Sequence, residues 1–294
     1  MLYTHTKAYR IFNIFNHFFL ISLSLLCVLP IVHTLAVSFS SSWAASSGAV
    51  GLWPVDFSWK SYEFVAAKPE FFRSMGVTVQ RALAGTALNM FLTVIIAYPL
   101  SKETKAFRWR TWYVWFFVFT ILFHGGLIPS YLVVKNLQLL DTLWALVLPG
   151  AVPVFNVILL LNFFRSLPKE LEEAAAMDGA GHWTLLWRLY APLSLPALAT
   201  VILFTIVGHW NAWFDGLIYM NSPERYPLQS YMQTVVIQMD LELLTSTDLS
   251  MLESISDRTT KSAQIFLAAF PVLLVYPFLQ RYFVKGIVMG SVKE

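Results

Sequence analysis

An all-α integral membrane protein with six transmembrane helices is the fold this sequence predicts, and three observations carry the prediction. Hydrophobic residues make up 57% of the chain and charged ones only 13%, whereas soluble domains run nearer half apolar and a quarter charged. Apolar stretches recur at the length of roughly 20 residues that a bilayer core demands. Aromatic residues reach 16%, with 11 Trp and 24 Phe, side chains suited to sharing between hydrocarbon and headgroup zone. The net charge of +3 comes from loop Lys and Arg and gives no sign of a nucleic-acid partner.

The first span is expected at about 11–39, after Lys7 and Arg10. Its apolar run is too long for the core of a signal peptide, usually about 7–15 residues, so it reads as an uncleaved helix with its N-terminus in the cytoplasm. Cleavage near Ala44-Ala45-Ser46 is the alternative. The lone Cys27 excludes an intrachain disulfide and is expected to be a buried, inert thiol. Residues 40–73, with Ser40-Ser41-Ser42, Pro54, Asp56 and Lys60, are too polar for lipid and form a periplasmic loop. A second span follows at about 74–100; Arg81, near its start, is expected to snorkel to the interface. Lys102, Lys105, Arg108 and Arg110 then mark a cytoplasmic loop.

The third span, about 111–132, is interrupted at His124-Gly125-Gly126 and Pro129. Either the helix ends there, or it is broken at a point where protein or water satisfies the freed backbone groups. The fourth, about 143–164, contains Pro149 and Pro153 and is expected to kink. A polar loop at 165–190 precedes the fifth span, about 191–220. A second polar stretch, 221–261, precedes the sixth span, about 262–279, and a basic tail. With the N-terminus inside, twelve Lys and Arg fall in inner loops and seven in outer ones. Both termini and the 165–190 loop are therefore expected in the cytoplasm.

No catalytic constellation emerges. The six histidines lack metal-ligand spacing, and Gly125-Gly126 lacks the Lys-Ser/Thr partner of a phosphate loop. No metal and no cofactor are expected in this chain; ATP, if it drives the protein, belongs to another subunit.

Two stretches are candidates for function. In the 165–190 loop, Pro168 suits a first helical turn and the acids that follow suit a helix N-terminus. Ala174, Ala175 and Ala176 favour helix and allow close approach, and Gly179 can close the helix in the left-handed conformation. The result is a short helix-turn-helix at the membrane surface, shaped as a knob for a partner's groove; an ordinary solvated loop is the plain alternative. Near the outer end of the fifth span, Trp210, Asn211, Trp213 and Asp215 bring indole, amide and carboxylate groups together. Indoles stack on sugar rings, and amide and carboxylate groups bond hydroxyls. The residue types favour the plainer alternative, an interfacial Trp belt with Asp215 in water.

Glu173-Ala174-Ala175, Asp178-Gly179-Ala180, Pro192 and Pro196 together resemble the EAA signature of permease subunits in binding-protein-dependent ABC importers. Gly125-Gly126-Leu127-Ile128-Pro129 with Tyr131, then Trp144, Leu148-Pro149, Trp210-Asn211 and Tyr226-Pro227-Leu228, resemble the carbohydrate-uptake group. Within that group the chain is similar to the MalG-type second permease, in the subgroup associated with oligosaccharides and polysaccharide fragments such as aldouronates and alginate. The tail from Lys285 to Lys293 resembles the same type.

The resemblance implies a MalG-like permease fold and an importer of two homologous permeases, two ATP-binding subunits and an extracytoplasmic solute-binding protein in the bacterial inner membrane. It implies that Glu173, Ala174, Ala175, Asp178, Gly179 and Ala180 form a coupling helix seated on the ATPase, which holds ATP and Mg, and with sugar as the solute it makes Trp210, Asn211, Trp213 and Asp215 candidates for the sugar pathway. The same machine carrying a disaccharide or glycerol phosphate is the nearest alternative. A membrane-embedded enzyme or a passive channel explains the 165–190 loop less well.

Overall fold

The computed structural model describes residues 7–237 and 256–291, and those residues are helical and loop in character, without a strand. In order, the helices are α1 (Lys7–Ser38), α2 (Ser42–Ser47), α3 (Lys60–Ala66), α4 (Pro69–Ser101), α5 (Arg110–Leu122), α6 (Leu127–Asn136), α7 (Leu143–Val147) and α8 (Val154–Ser166). Then come α9 (Lys169–Met177), α10 (His182–Thr184), a π-helical stretch (Leu185–Tyr190), α11 (Ala191–Leu193), α12 (Leu195–Asn211) and α13 (Phe214–Tyr219). A 3-10 turn (Pro223–Arg225), α14 (Leu228–Ile237) and α15 (Asp257–Ser291) complete the series. The middle of the expected outer loop, 238–255, lies outside the described residues, as does Lys293 of the tail.

Among the described residues, three helices are long and apolar enough to cross a membrane: Tyr9–Ser38, Pro69–Ser101 and Asp257–Phe278. The number rises to five if each of two bent pairs is one span, α5 with α6 and His182–Leu193 with α12. The remaining apolar helix, α8, has 13 residues, short of the roughly 20 needed to cross straight through.

Each break has a local cause. Between α5 and α6 the chain turns by 112°, and Gly126 there has φ +91, open to a residue without Cβ. Its N–H donates to His124 Nδ1 (3.0 Å) and its carbonyl accepts from Ser130 Oγ (2.8 Å). The backbone freed by the turn is thus bonded locally rather than left without partners. Where a kink was expected at Pro149 and Pro153, helix is absent from 148 to 153 and α7 and α8 are separate. Pro192 and Pro196 flank Ser194, where the chain bends by 82°.

The chain divides into two compact units. One comprises Met1–Phe71 and Thr234–Phe270. In it Ala36, Val37, Ala44, Ala45 and Val50 form a small core. Phe39 stacks on Phe57 and Tyr62 and meets Trp59 edge-on. The rest of α1 presents Ile11, Phe15, Phe18, Ile21, Leu25 and their neighbours outward, as lipid or another subunit requires. Cys27 is on that outer surface, not buried as expected, because α1 packs only through its C-terminal turns.

The second unit comprises Phe72–Gln233 and Pro271–Glu294. Its main core joins Val94, Ala97, Tyr98 and Leu100 of α4 to Val157, Leu160, Leu161 and Phe164 of α8, with Leu185, Leu186, Tyr190 and Ala197. A smaller cluster gathers Val134, Ala145, Leu146, Tyr219 and Met220. Beside it Asp141, itself at φ +61, accepts from the N–H groups of Asn221 and Ser222 and from Ser222 Oγ, and pairs with Arg225. That carboxylate organises the loop after α13.

Candidate functional site

The first site is built around α9. Pro168 precedes it, Glu170 and Glu172 lie in its first turn, and its end is closed in a Schellman arrangement. Ala180 N–H donates to the Ala175 carbonyl and Gly179 N–H to the Ala176 carbonyl, each at 3.0 Å, with Gly179 at φ +81. This is the backbone form that glycine best supplies. Ala175 and Ala180 pack against the main core. Glu173, Ala174, Asp178 and Gly179 face outward, and Met177 is 88% exposed at the tip. The six residues singled out from the sequence therefore divide into two that seat the helix and four that are presented. With them, Leu171, Trp183 and Trp187 expose apolar surface.

Beneath the presented face lies a polar anchor that sequence reasoning missed. Lys102 Nζ, just past the end of α4, donates to Glu172 Oε1 (2.6 Å) and to Tyr190 Oη (3.0 Å). Tyr190 Oη donates to Glu172 Oε2 (2.6 Å). The ammonium also sits 4.2 Å from the ring centres of both Tyr98 and Tyr190, an attractive placement over aromatic faces. Burial pushes the Glu172 carboxyl up, but the bonds from Lys102 and Tyr190 outweigh it and leave the group below its ordinary value. Burial draws Lys102 down, against the pull of Glu172. At the rim Lys169 pairs with Glu103, both side chains exposed. Arg110 and Arg165 both donate to the Leu100 carbonyl at the end of α4. A cavity of about 700 Å³ opens beside this anchor, lined by Lys102, Lys105, Arg110, Arg165, Glu172 and Glu173 among others.

The second site lies within the apolar part of the same unit. Arg81 does not snorkel: it is 3% exposed and forms a bidentate pair with Asp215, in the first turn of α13. Its Nη1 also donates to the Ala212 carbonyl (3.2 Å), and its Nε has no partner. Desolvation explains the pairing, since an isolated buried guanidinium would be prohibitively costly. A cavity of about 440 Å³ adjoins the pair, lined by Asn89, Asn156, Thr205, His209 and Tyr219 as well. Asn156 donates to Thr205 Oγ1 (3.2 Å) and Asn89 to the Gly150 carbonyl (3.3 Å), while Asn89 Oδ1 has no partner.

Of the four residues proposed for a sugar pathway, the structure places only Asp215 on this cavity. Trp210 lines a different, apolar cavity with Leu83, Met90, Ile206 and Val275; Asn211 and Trp213 are exposed. Asp215 is not free in water but held by Arg81. Asn89 and Asn156, polar residues spaced through apolar spans, were the available signal for the cavity and were not used. Among the described residues no cluster of three or more His, Cys, Asp or Glu is placed to hold a metal.

A broken-helix permease with a short helix presented at one end is what this fold and these sites define. Residues 106–289 match the family of binding-protein-dependent transport system inner membrane components, and the chain belongs to that family. It is a membrane-embedded, non-enzymatic subunit of an ABC transporter, whose ATPase is a separate chain. Protein LplC of Bacillus subtilis is 41% identical over 98% of this chain and 97% of its own length. The polygalacturonan/rhamnogalacturonan transport system permease protein YtcP of the same organism is 40% identical over 97% and 99%. Among solved structures, a chain of a bacterial ABC transporter involved in the import of the acidic polysaccharide alginate superposes with a TM-score of 0.85. It is 33% identical and the match covers 95% of this chain and 99% of that one.

Proposed function

We propose that this chain is one of two homologous permease subunits of an importer for oligosaccharides, including acidic polysaccharide fragments. Two ATP-binding subunits work with it on the cytoplasmic face and an extracytoplasmic solute-binding protein on the other. The substrate class is supported by relatives and a structural neighbour concerned with pectic polysaccharides and alginate. The distribution of Lys and Arg supports cytoplasmic termini.

The observation that carries the coupling assignment is α9. It is a helix anchored from behind by Lys102, Glu172 and Tyr190, with Glu173, Ala174, Met177, Asp178 and Gly179 turned outward. An anchored knob with an apolar tip suits seating in a groove of the ATPase. Closure of the ATPase dimer around ATP and Mg then moves α9, the α4 and α12 segments follow, and the central path opens in alternation to either side. Glu173 and Asp178 transmit force and take no part in bond cleavage.

Co-purification from detergent tests the assignment. Wild-type chain should bring down its ATPase subunit, and Glu173→Lys or Gly179→Asp should weaken that association or uncouple hydrolysis from uptake. Full association with full uptake in both variants would refute it. For the substrate, ATP hydrolysis stimulated by the binding protein is screened against oligosaccharides. Stimulation by an amino acid or peptide alone would overturn the carbohydrate reading.

A further inference from the structure

We infer that the cavity beside Arg81 is a subsite for a carboxylate-bearing sugar residue in transit, with Asp215 as the exchangeable counter-ion of Arg81. This rests on the proposed oligosaccharide-import function and narrows its substrate class.

The cavity sets polar groups among apolar ones, with Leu146, Pro149 and Phe204 on the same wall. Asn89, Asn156, Thr205 and the Arg81–Asp215 pair face one space of about 440 Å³, within the range of small-ligand sites, roughly 300–1,000 Å³. Three buried polar atoms of its lining residues have no partner within the protein: His209 Nε2, which abuts Gly85, and the two that concern a ligand, Arg81 Nε and Asn89 Oδ1; buried polar groups ordinarily have one. A ligand rich in oxygen supplies both deficits: an acceptor for the guanidinium edge and a hydroxyl donor for the amide oxygen. Sugars carry such hydroxyls, and a uronic acid adds the carboxylate that fits a guanidinium fork.

The pair itself is asymmetric. Arg81 is 3% exposed but the Asp215 side chain is 29% exposed. Asp215 Oδ1 also accepts from the Gly216 N–H at 2.9 Å, so the acid keeps a bond when it leaves Arg81. Arg81 likewise keeps the Ala212 carbonyl. An incoming carboxylate can therefore take over the guanidinium and send Asp215 toward water, without any charge in the cavity going unbalanced. Occupancy by acidic sugar is thereby coupled to release of the bond between α4 and the start of α13.

The test uses the assembled transporter in proteoliposomes, with uptake of trigalacturonate compared with that of neutral galactotriose. Wild type should take up trigalacturonate. Arg81→Lys keeps the charge but not the fork, and should lower uptake of trigalacturonate relative to galactotriose by roughly ten- to hundredfold, the worth of a bidentate charge-assisted contact. Asp215→Asn removes the competitor and should lower the concentration for half-maximal trigalacturonate uptake. Recovery of the intact complex from detergent checks that both variants assemble. If both variants reduce uptake of the two sugars equally, the pair is a structural strut and the inference is overturned. Wild-type uptake of galactotriose alone also overturns it, leaving oligosaccharide import standing; uptake of neither sugar overturns it too, and the binding-protein screen then decides the import reading.

Discussion

Replacing Glu172 by Gln tests whether the anchor under α9 matters for coupling. The change keeps the shape and one hydrogen bond but strips the charge facing Lys102 Nζ at 2.6 Å. The gross attraction of that pair is about 6 kcal/mol at an effective dielectric of about 20. Desolvation offsets much of it. Breaking a fully buried pair costs about 3–5 kcal/mol and an exposed one at most about 1 kcal/mol. Here Lys102 is 9% exposed and Glu172 28%, so a loss of about 2 kcal/mol is expected, a roughly 30-fold rise in the population with α9 detached. The outward residues Glu173 and Met177 are untouched, so the ATPase should still co-purify while sugar moved per ATP hydrolysed falls. Pairing Glu172→Met with Lys102→Met should restore part of the loss, because two apolar groups leave no stranded charge. A wild-type transport-to-hydrolysis ratio in Glu172→Gln would refute the reasoning.

Three further outcomes follow from the same geometry. The depressed Glu172 carboxyl contributes stability that is present above its ordinary value of 4.5 and lost as pH falls through its folded value. Lys102, also depressed, makes stability rise with pH in the alkaline range below 10.5. Thermal unfolding across pH should show both slopes; Glu172→Gln should flatten the acid one and Lys102→Met the alkaline one, and unchanged slopes would contradict the assignment. Gly179→Ala meets open space but sits at φ +81, so about 1 kcal/mol of backbone strain should loosen the last turn of α9. Hydrogen exchange at the Gly179 and Ala180 amides should quicken several-fold, and equal protection would argue against the strain. Gly85→Ala would put a methyl 2.3 Å from His209 Nε2, an overpacking cost of about 1–3 kcal/mol. Its thermal midpoint should drop and should partly recover with His209→Ala; no drop would mean the contact is looser than described.

Breaks in this chain were legible because glycine and proline act through their own backbone. Gly126 and Pro153 stand immediately before α6 and α8, Pro149 lies just past α7 and Gly179 just past α9, each marking a helix boundary with no help from afar, and the helix expected between Pro168 and Gly179 runs Lys169–Met177. Pairings were not legible. Arg81 and Asp215 are 134 residues apart and Lys102 and Glu172 are 70 apart, so the sequence shows four charges but not which ones meet. Arg81 was placed at an interface because a lone arginine in a span has snorkelling as its cheapest local solution. The distant carboxylate supplies a cheaper one. Trp210 lines a different cavity from Asp215 for a related reason: an aromatic beside polar residues in the sequence turns to a different face once wound into a helix.

The Arg81–Asp215 pair also sets an order of events during biosynthesis. Helix α4 enters the bilayer well before α13 has been made, since 134 residues separate the two partners. At about 5–20 residues per second of synthesis, that delay is roughly 7–27 s. Through it the arginine must be carried without its acid, at an insertion penalty of about 2.5–3.5 kcal/mol. The 33-residue, strongly apolar α4 is long enough to bear that penalty alone. The arrival of Asp215 then gives the buried arginine the carboxylate it pairs with.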